Sequence, residues 1–164
     1  MPLPTVAYRL IGRFSVTWLI RVLHPILYRW TGGRGILGRV LGSEMLVLTT
    51  TGRRSGRARR VALFCFAVGA PLGSWAVIGS RGGSRRLPAW YHNLQADPRA
   101  SVQVRGQRLP VQPREVFGDE YEAIFGLAAA VYPGYRLYRA EATHHIPILV
   151  LEPAHEVAAQ EPVA

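Results

Sequence analysis

Two short stretches of this chain carry residue types that bind anions. In Thr49-Thr50-Thr51-Gly52-Arg53-Arg54-Ser55-Gly56-Arg57, three arginines surround two glycines. Glycine lets a backbone turn sharply and gather its N–H groups into a nest, while guanidinium forks match phosphate and carboxylate oxygens. No Lys-Ser/Thr pair follows the second glycine, so this is not a Walker loop. Ala58 closes the turn, and Arg59 and Arg60 open a strand, so their side chains point to opposite faces and cannot serve the same anion. The alternative reading is a solvated basic hairpin. The second stretch, Ser80-Arg81-Gly82-Gly83-Ser84-Arg85-Arg86, runs into a helix that begins near Pro88. A glycine-rich basic loop at a helix N-terminus offers unpaired N–H groups and the positive end of the helix dipole. Two such loops are able to clamp both ends of an elongated polyanion.

Other polar and aromatic residues supply less. On the helix after the second loop, Trp90 and Leu94 share an inward face, and Asn93 lies within reach of a ligand. Trp90 also reads as plain core. Tyr132, Tyr135 and Tyr138 recur every three residues around Pro133-Gly134. They either wall a flat pocket with phenol donors or fill a core or interface. His144-His145 has no companion ligand at metal spacing, so no metal site is expected. A serine triad is excluded, because no G-x-S-x-G exists and the only aspartates are Asp97 and Asp119. Cys65, in an apolar run, reads as a buried small hydrophobe.

The elements that must position these residues follow from periodicity. Met45–Thr50, Arg59–Val68 and Ser74–Ser80 read as strands, and Pro88–Ala96 as a helix closed by Asp97-Pro98. Ser101–Arg105 and Leu109–Val116 form a hairpin about Gly106-Gln107. A second helix spans Asp119–Ala130, and Ile146–Leu151 is the last strand. Short meandering strands with few helices predict a mainly β (α+β) fold, an antiparallel sheet curled into a small barrel. Residues 3–30 are apolar but interrupted by Arg9, Arg13, Arg21 and Arg29, too charged to span a membrane. Their arginines form a stripe on an amphipathic helix, which Pro25 kinks or ends. That helix either lies in an anionic membrane surface or packs on the domain or a second subunit. Gly33, Gly35 and Gly38 fit G-x-G-x-x-G literally, but no strand precedes them, so they read as a linker. The expected organisation is a helix and linker over 1–38, a domain over 39–153 and a flexible tail over 154–164.

Composition bounds the partner. The 164 residues are 49% hydrophobic and 18% charged, enough apolar content for one packed domain. All 20 basic residues are arginine, and the net charge is +10. Up to Pro110, 17 arginines face only Glu44 and Asp97, a surplus of +15. Such a surplus asks for an anion. Nucleic acid is disfavoured, because the arginines cluster in two glycine loops rather than interleaving with exposed aromatics.

The stretches LTTTGRRSGRARRVALF, SRGGSRRLPAWYHNLQADP, VYPGYRLY and IPILVLEP together resemble the deazaflavin-dependent nitroreductases, coenzyme F-420-dependent proteins with a split β-barrel. The likeness covers about residues 44–153, in the family's order and spacing. It implies that the first loop, from Thr50 to Arg59, and a second segment with Ile78, Gly79, Ser80, Arg81, Gly82, Ala89, Trp90 and Asn93 bind the reduced deazaflavin. It places Ser80, Tyr132, Tyr135 and Tyr138 on the substrate side. The implied activity is hydride transfer from the reduced coenzyme to a flat, electron-poor acceptor such as a quinone or nitroaromatic. FMN in the same barrel, or a carrier of a cofactor or tetrapyrrole without turnover, are the alternatives. The implied setting is cytoplasmic, peripheral on the inner face of the membrane, as monomer or homodimer. The chain departs from the family pattern at Ala58 and Ala62, where proline is frequent, at Leu87, where a polar residue is, and at His144-His145, where arginine is.

Overall fold

Strands β4 (Ser74–Ile78) and β7 (Ile148–Pro153) run side by side through the middle of the molecule, apolar on both faces. The computed structural model describes residues 39–40, 43–69 and 73–154; the expected N-terminal helix, the glycine linker and positions 155–164 lie outside the described residues. The remaining strands are β1 (Arg39–Val40), β2 (Ser43–Thr51), β3 (Ala58–Val68), β5 (Ala100–Val104) and β6 (Gln107–Glu115). Helix α1 (Ala89–Ala96) precedes β5, and α2 (Gly118–Val131) and α3 (Gly134–Glu141) lie between β6 and β7.

Every pairing is antiparallel, in the order β1-β2-β3-β4-β7-β6-β5, and β2 also pairs with β5. That extra pairing closes β2, β3, β4, β7, β6 and β5 into a ring, the split barrel, with β1 appended to the start of β2. Closure removes the exposed edges an open sheet would present.

Alternation along β4 and β7 divides the interior in two. Trp75, Val77, Leu149 and Leu151 point into the barrel, where Leu46, Leu48, Cys65 and Val102 meet Trp90 and Leu94 of α1. Ala76, Ile78, Ile148 and Val150 point the other way, against Tyr121, Ile124, Phe125 and Ala128 of α2 and Tyr135 of α3. Cys65 is buried and its thiol pKa is pushed up by desolvation, so it fills space rather than attacks.

Ion pairs fasten the helical layer. Arg114 binds Glu120 with both terminal nitrogens, at 2.8 and 2.9 Å, and Glu152 through Nε at 2.9 Å, tying β6, α2 and β7 together. Arg139 of α3 reaches Glu122 and lies 3.9 Å over the Phe125 ring. The β5–β6 turn falls one residue earlier than expected. Arg105 and Gly106 both have positive φ, at 50° and 82°, and Val104 pairs with Gln107. That combination suits the twist of a two-residue hairpin.

A third helix, α3, stands where the tyrosine spacing had suggested only one helical side. Pro133 has no N–H to continue α2, so Tyr132 caps that helix through its own N–H, 2.8 Å from the Ala128 carbonyl. The chain restarts at Gly134, placing Tyr135 and Tyr138 on the new helix.

Candidate active site

The first loop, residues 52–57, bridges β2 and β3 beyond the last pair, Thr51 with Ala58. Its conformation is built by its own backbone. The Gly52 amide donates to the Arg57 carbonyl at 2.8 Å, and the amides of Ser55 and Gly56 both donate to the Gly52 carbonyl. The Arg53 amide donates to Asn93 Oδ1 at 3.1 Å, and the Arg57 amide reaches Ser55 Oγ at 3.4 Å. The expected nest of amides turned toward an anion is therefore not what forms, because these N–H groups are taken up in holding the turn. What the loop turns to solvent is side chains: Arg53, Arg54 and Arg57 are all exposed, as is Arg59 at the start of β3.

Asn93 is the joint between that loop and α1. Only 6% exposed, it accepts from the Arg53 amide and donates through Nδ2 to Thr50 Oγ1 at 3.0 Å. Both ends of its amide are thus used within the protein, making it a positioning residue for the loop. Trp90 and Leu94 on the same helix are buried in the barrel core.

The acid nearest this loop is neutralised. Asp97, which follows α1, takes two hydrogen bonds from the Arg99 guanidinium, at 2.9 and 3.0 Å, and one from the Arg99 amide at 3.1 Å. Those bonds, with a further one from the Thr51 hydroxyl, hold its carboxyl well below the usual carboxylate range. This pair had no signal in the sequence beyond an Asp-Pro-Arg turn.

The second loop leaves the end of β4 through buried Ile78, Gly79 and Ser80. The Gly79 amide donates to the Pro147 carbonyl at 2.7 Å, and a Cβ on Gly79 would stand 2.7 Å from Pro147 Cγ. Three successive residues then adopt left-handed backbone: Arg81 at φ 47°, Gly82 at 65° and Gly83 at 76°. For arginine that conformation is strained, and strain of this kind persists where surrounding structure dictates it. The Gly83 amide closes the turn on the Ser80 carbonyl at 3.0 Å. Pro88 caps α1 without a side-chain hydrogen bond, so the first-turn amides of that helix are left for other partners.

The tyrosines meet this loop. A Cβ on Gly83 would lie 2.8 Å from Cδ1 of Tyr138, so the ring sits directly on the glycine. Tyr138 and Tyr132 share a hydrogen bond, hydroxyl to hydroxyl, at 3.0 Å. Tyr135 is only 6% exposed and stands edge-on to Phe66, Tyr132 and Tyr138, which makes it the inner member of the trio. Burial pushes the pKa of Tyr135 and Tyr138 up, and for Tyr138 the Tyr132 hydrogen bond adds to the effect, so both phenols stay protonated donors at neutral pH.

Two joints bring these stretches together: Asn93 ties the first loop to α1, and Gly83 ties the second loop to Tyr138. Arg53, Arg54, Arg57, Arg59, Arg81, Arg85 and Arg86 are exposed on or beside the two loops, and among the described residues none of them is ion-paired. No acid occurs between Glu44 and Asp97. The donor set suits a ligand carrying phosphate and carboxylate groups. Among the described residues no group of histidine, cysteine or acid side chains could hold a metal ion.

Comparison with known proteins agrees with this chemistry. The family model described as F-420H2-dependent quinone reductase matches residues 20–153. An F-420H2-dependent quinone reductase of Mycobacterium tuberculosis (strain H37Rv) is 32% identical over 136 residues, 79% of this chain and 87% of that protein. A Mycobacterium bovis protein named as a putative F-420H2-dependent quinone reductase matches equally. Among solved structures, an F-420-H2-dependent reductase (FDR-A) superposes with TM-score 0.58 at 36% identity, covering 66% of this chain and 93% of that one. A structure described as a domain-swapped dimer superposes with TM-score 0.61 at 32% identity, covering 84% and 98%. A heme-binding protein from Mycobacterium smegmatis, at 16% identity and TM-score 0.50, shares the fold alone. With its family model matched over most of its length, this split-barrel chain belongs to the F-420H2-dependent quinone reductase family.

Proposed function

We infer that this protein binds reduced coenzyme F-420 and uses it to reduce a quinone, with the two arginine loops as the cofactor grip and the tyrosine side as the acceptor wall. The observation that carries this reading is the contact of Tyr138 with Gly83, which joins the second loop to the tyrosines. When bound, the reduced deazaflavin supplies a hydride and a proton, which balance quinone to quinol. The protein's own contribution is orientation and electrostatics. Exposed guanidiniums offset the phosphate and carboxylate charge of the cofactor. Asn93 holds the first loop against α1, and left-handed Arg81 and Gly82 shape the second. The Tyr132–Tyr138 hydroxyl pair offers a protonated donor toward oxygen that gains negative charge as hydride arrives.

The test is direct. Adding the protein to oxidised F-420 quenches the deazaflavin fluorescence, and menadione then oxidises F-420H2 only when protein is present. Tyr138→Phe keeps cofactor affinity and lowers turnover. Binding of FMN with equal affinity, or binding of F-420 without turnover of any quinone, sinks the reading.

The basic stripe and apolar residues in the sequence of 3–30 further support attachment to an anionic lipid surface, where lipophilic quinones dissolve. Flotation with phosphatidylglycerol vesicles compares the full chain with one lacking residues 1–38; equal flotation removes the idea.

A further inference from the structure

Arg60 is the arginine of the first cluster that the two loops leave over. Arg59, beside it, turns to the loop and donates to Ser55 Oγ at 3.2 Å. Arg60 faces the other way, because neighbouring side chains on a strand alternate. Leu48, Val61, Val102 and Leu109 belong to the barrel core, so Thr49, Arg60, Ser101 and Arg108 stand on its outer wall. Register sets three of them in one row. Arg60 pairs with Thr49, and Thr49 pairs with Ser101, on adjacent strands about 5 Å apart. Arg108 joins the row from β6, its Nε donating to Ser101 Oγ at 3.2 Å. Thr49, Arg60 and Arg108, with Gln103 and buried Val47, line an open depression of about 360 Å³.

The charge of this depression is not compensated from within the wall. Among the described residues neither Arg60 nor Arg108 is ion-paired. Strands β3 and β5 carry no acid. The acids of β2 and β6 stand at the far ends of those strands, where Glu44 is held by Arg105 and Glu115 accepts from the Tyr91 hydroxyl. Asp97, which reaches the Thr51 hydroxyl, is closed by Arg99. The donors also decide the shape of a ligand. A guanidinium fork takes oxygens lying in its own plane. Two forks bordering one depression, with the Thr49 hydroxyl in the row between them, call for oxygens in more than one plane. A tetrahedral phosphate presents these and a flat carboxylate does not.

We propose that this depression on the outer wall is a second anion site, separate from the grip of the two loops, and that it takes the phosphate group of a phosphate ester. Arg60 and Arg108 bind its oxygens from two sides, and the Thr49 hydroxyl donates between them. The site stands whether or not the acceptor is a quinone. Its phosphate comes from a soluble ester or from the headgroup of an anionic phospholipid, which share the chemistry that these donors recognise.

The experiment titrates glycerol 3-phosphate into the full-length protein by calorimetry, alone and beside saturating oxidised F-420. Binding should be the same in both. Arg60→Ala and Arg108→Ala should each weaken it about fivefold or more, and Thr49→Val, which changes no charge and suits a strand, about threefold. Arg136→Ala removes the same charge from α3 and should leave it unchanged. F-420 affinity should change less than about twofold in Arg60→Ala, since that side chain faces away from the loop. Flotation with phosphatidylglycerol vesicles reads the source. Loss of vesicle binding in Arg60→Ala and Thr49→Val assigns a headgroup, and loss of glycerol 3-phosphate alone assigns a soluble ester; either outcome supports the site. The proposal is overturned if the wild type binds no glycerol 3-phosphate, or if F-420 displaces it, which would make the wall part of the cofactor grip. Equal weakening by Arg136→Ala and Arg60→Ala overturns it too, because diffuse charge then explains the binding. Unchanged affinity in Thr49→Val removes the row of donors on which it stands.

Discussion

Gly83 and Tyr138 touch, ring edge on α-carbon, and through that contact the second arginine loop and helix α3 share one surface. A methyl group added at Gly83 would stand 2.8 Å from Tyr138 Cδ1. Gly83→Ala therefore combines two costs, the left-handed backbone, about 1–2 kcal/mol, and displacement of the ring. Gly118 also has positive φ, at 59°, but nothing lies within 4 Å of its would-be Cβ. Gly118→Ala should show the backbone cost alone. Calorimetry should find the larger fall in Tm for Gly83→Ala, with the excess removed when Tyr138→Ala is added. Equal falls would mean that the contact contributes nothing.

Asn93 gives a second prediction. Replacing it with alanine strands the Thr50 hydroxyl and the Arg53 amide, at a cost of about 1–3 kcal/mol where the groups are buried. Because the same amide holds the first loop on α1, F-420 affinity should fall with stability. Fluorescence titration of Asn93→Ala at a temperature where it is fully folded separates the two. Unchanged affinity there would show the loop keeps its shape unaided.

Arg81 should behave in the opposite sense. At φ 47° its backbone favours glycine, so Arg81→Gly relieves about 1 kcal/mol of strain and raises Tm. The same change removes one guanidinium from the anion grip, so F-420 should bind more weakly. Tighter binding by the stabilised variant would contradict the role given to Arg81.

The buried phenols set the alkaline limit. Tyr135 and Tyr138 have raised pKa values in the folded protein, with burial the leading cause. Unfolded tyrosine ionises near 10.0, before the folded groups do. Their contribution to stability is thus fully present below that pH and is lost as pH rises from there toward the folded values. Denaturant midpoints should fall above pH 10 in the wild type. They should fall less steeply in Tyr135→Phe, which removes the more deeply buried group; identical slopes would refute the assignment.

Much of this was legible in the chain. Period-two apolar runs located the strands, and the glycine-arginine clusters located both loops, because turn geometry and charge are local properties. Ala89, Trp90 and Asn93 could be put on one helix for the same reason. What sequence could not carry was partnership. Nothing local says that Asn93 spends both ends of its amide on Thr50 and Arg53, or that the first loop consumes its own N–H groups. Tyr135 and Tyr138 read as equivalent by spacing, yet Pro133 restarts the helix and leaves one inside and the other against Gly83.

The alternation along β4 and β7 has one more consequence. Ala76 and Val77, adjacent in sequence, belong to different cores, as do Leu149 and Val150. Neither core can open without exposing the wall that both share, so amide hydrogens in these strands should exchange only through global unfolding. Gly79 and Pro147 continue that wall, and the second loop hangs from its end. Whatever mobility turnover requires is thus confined to the loops and α3, which are joined to a partition as slow to open as the protein itself.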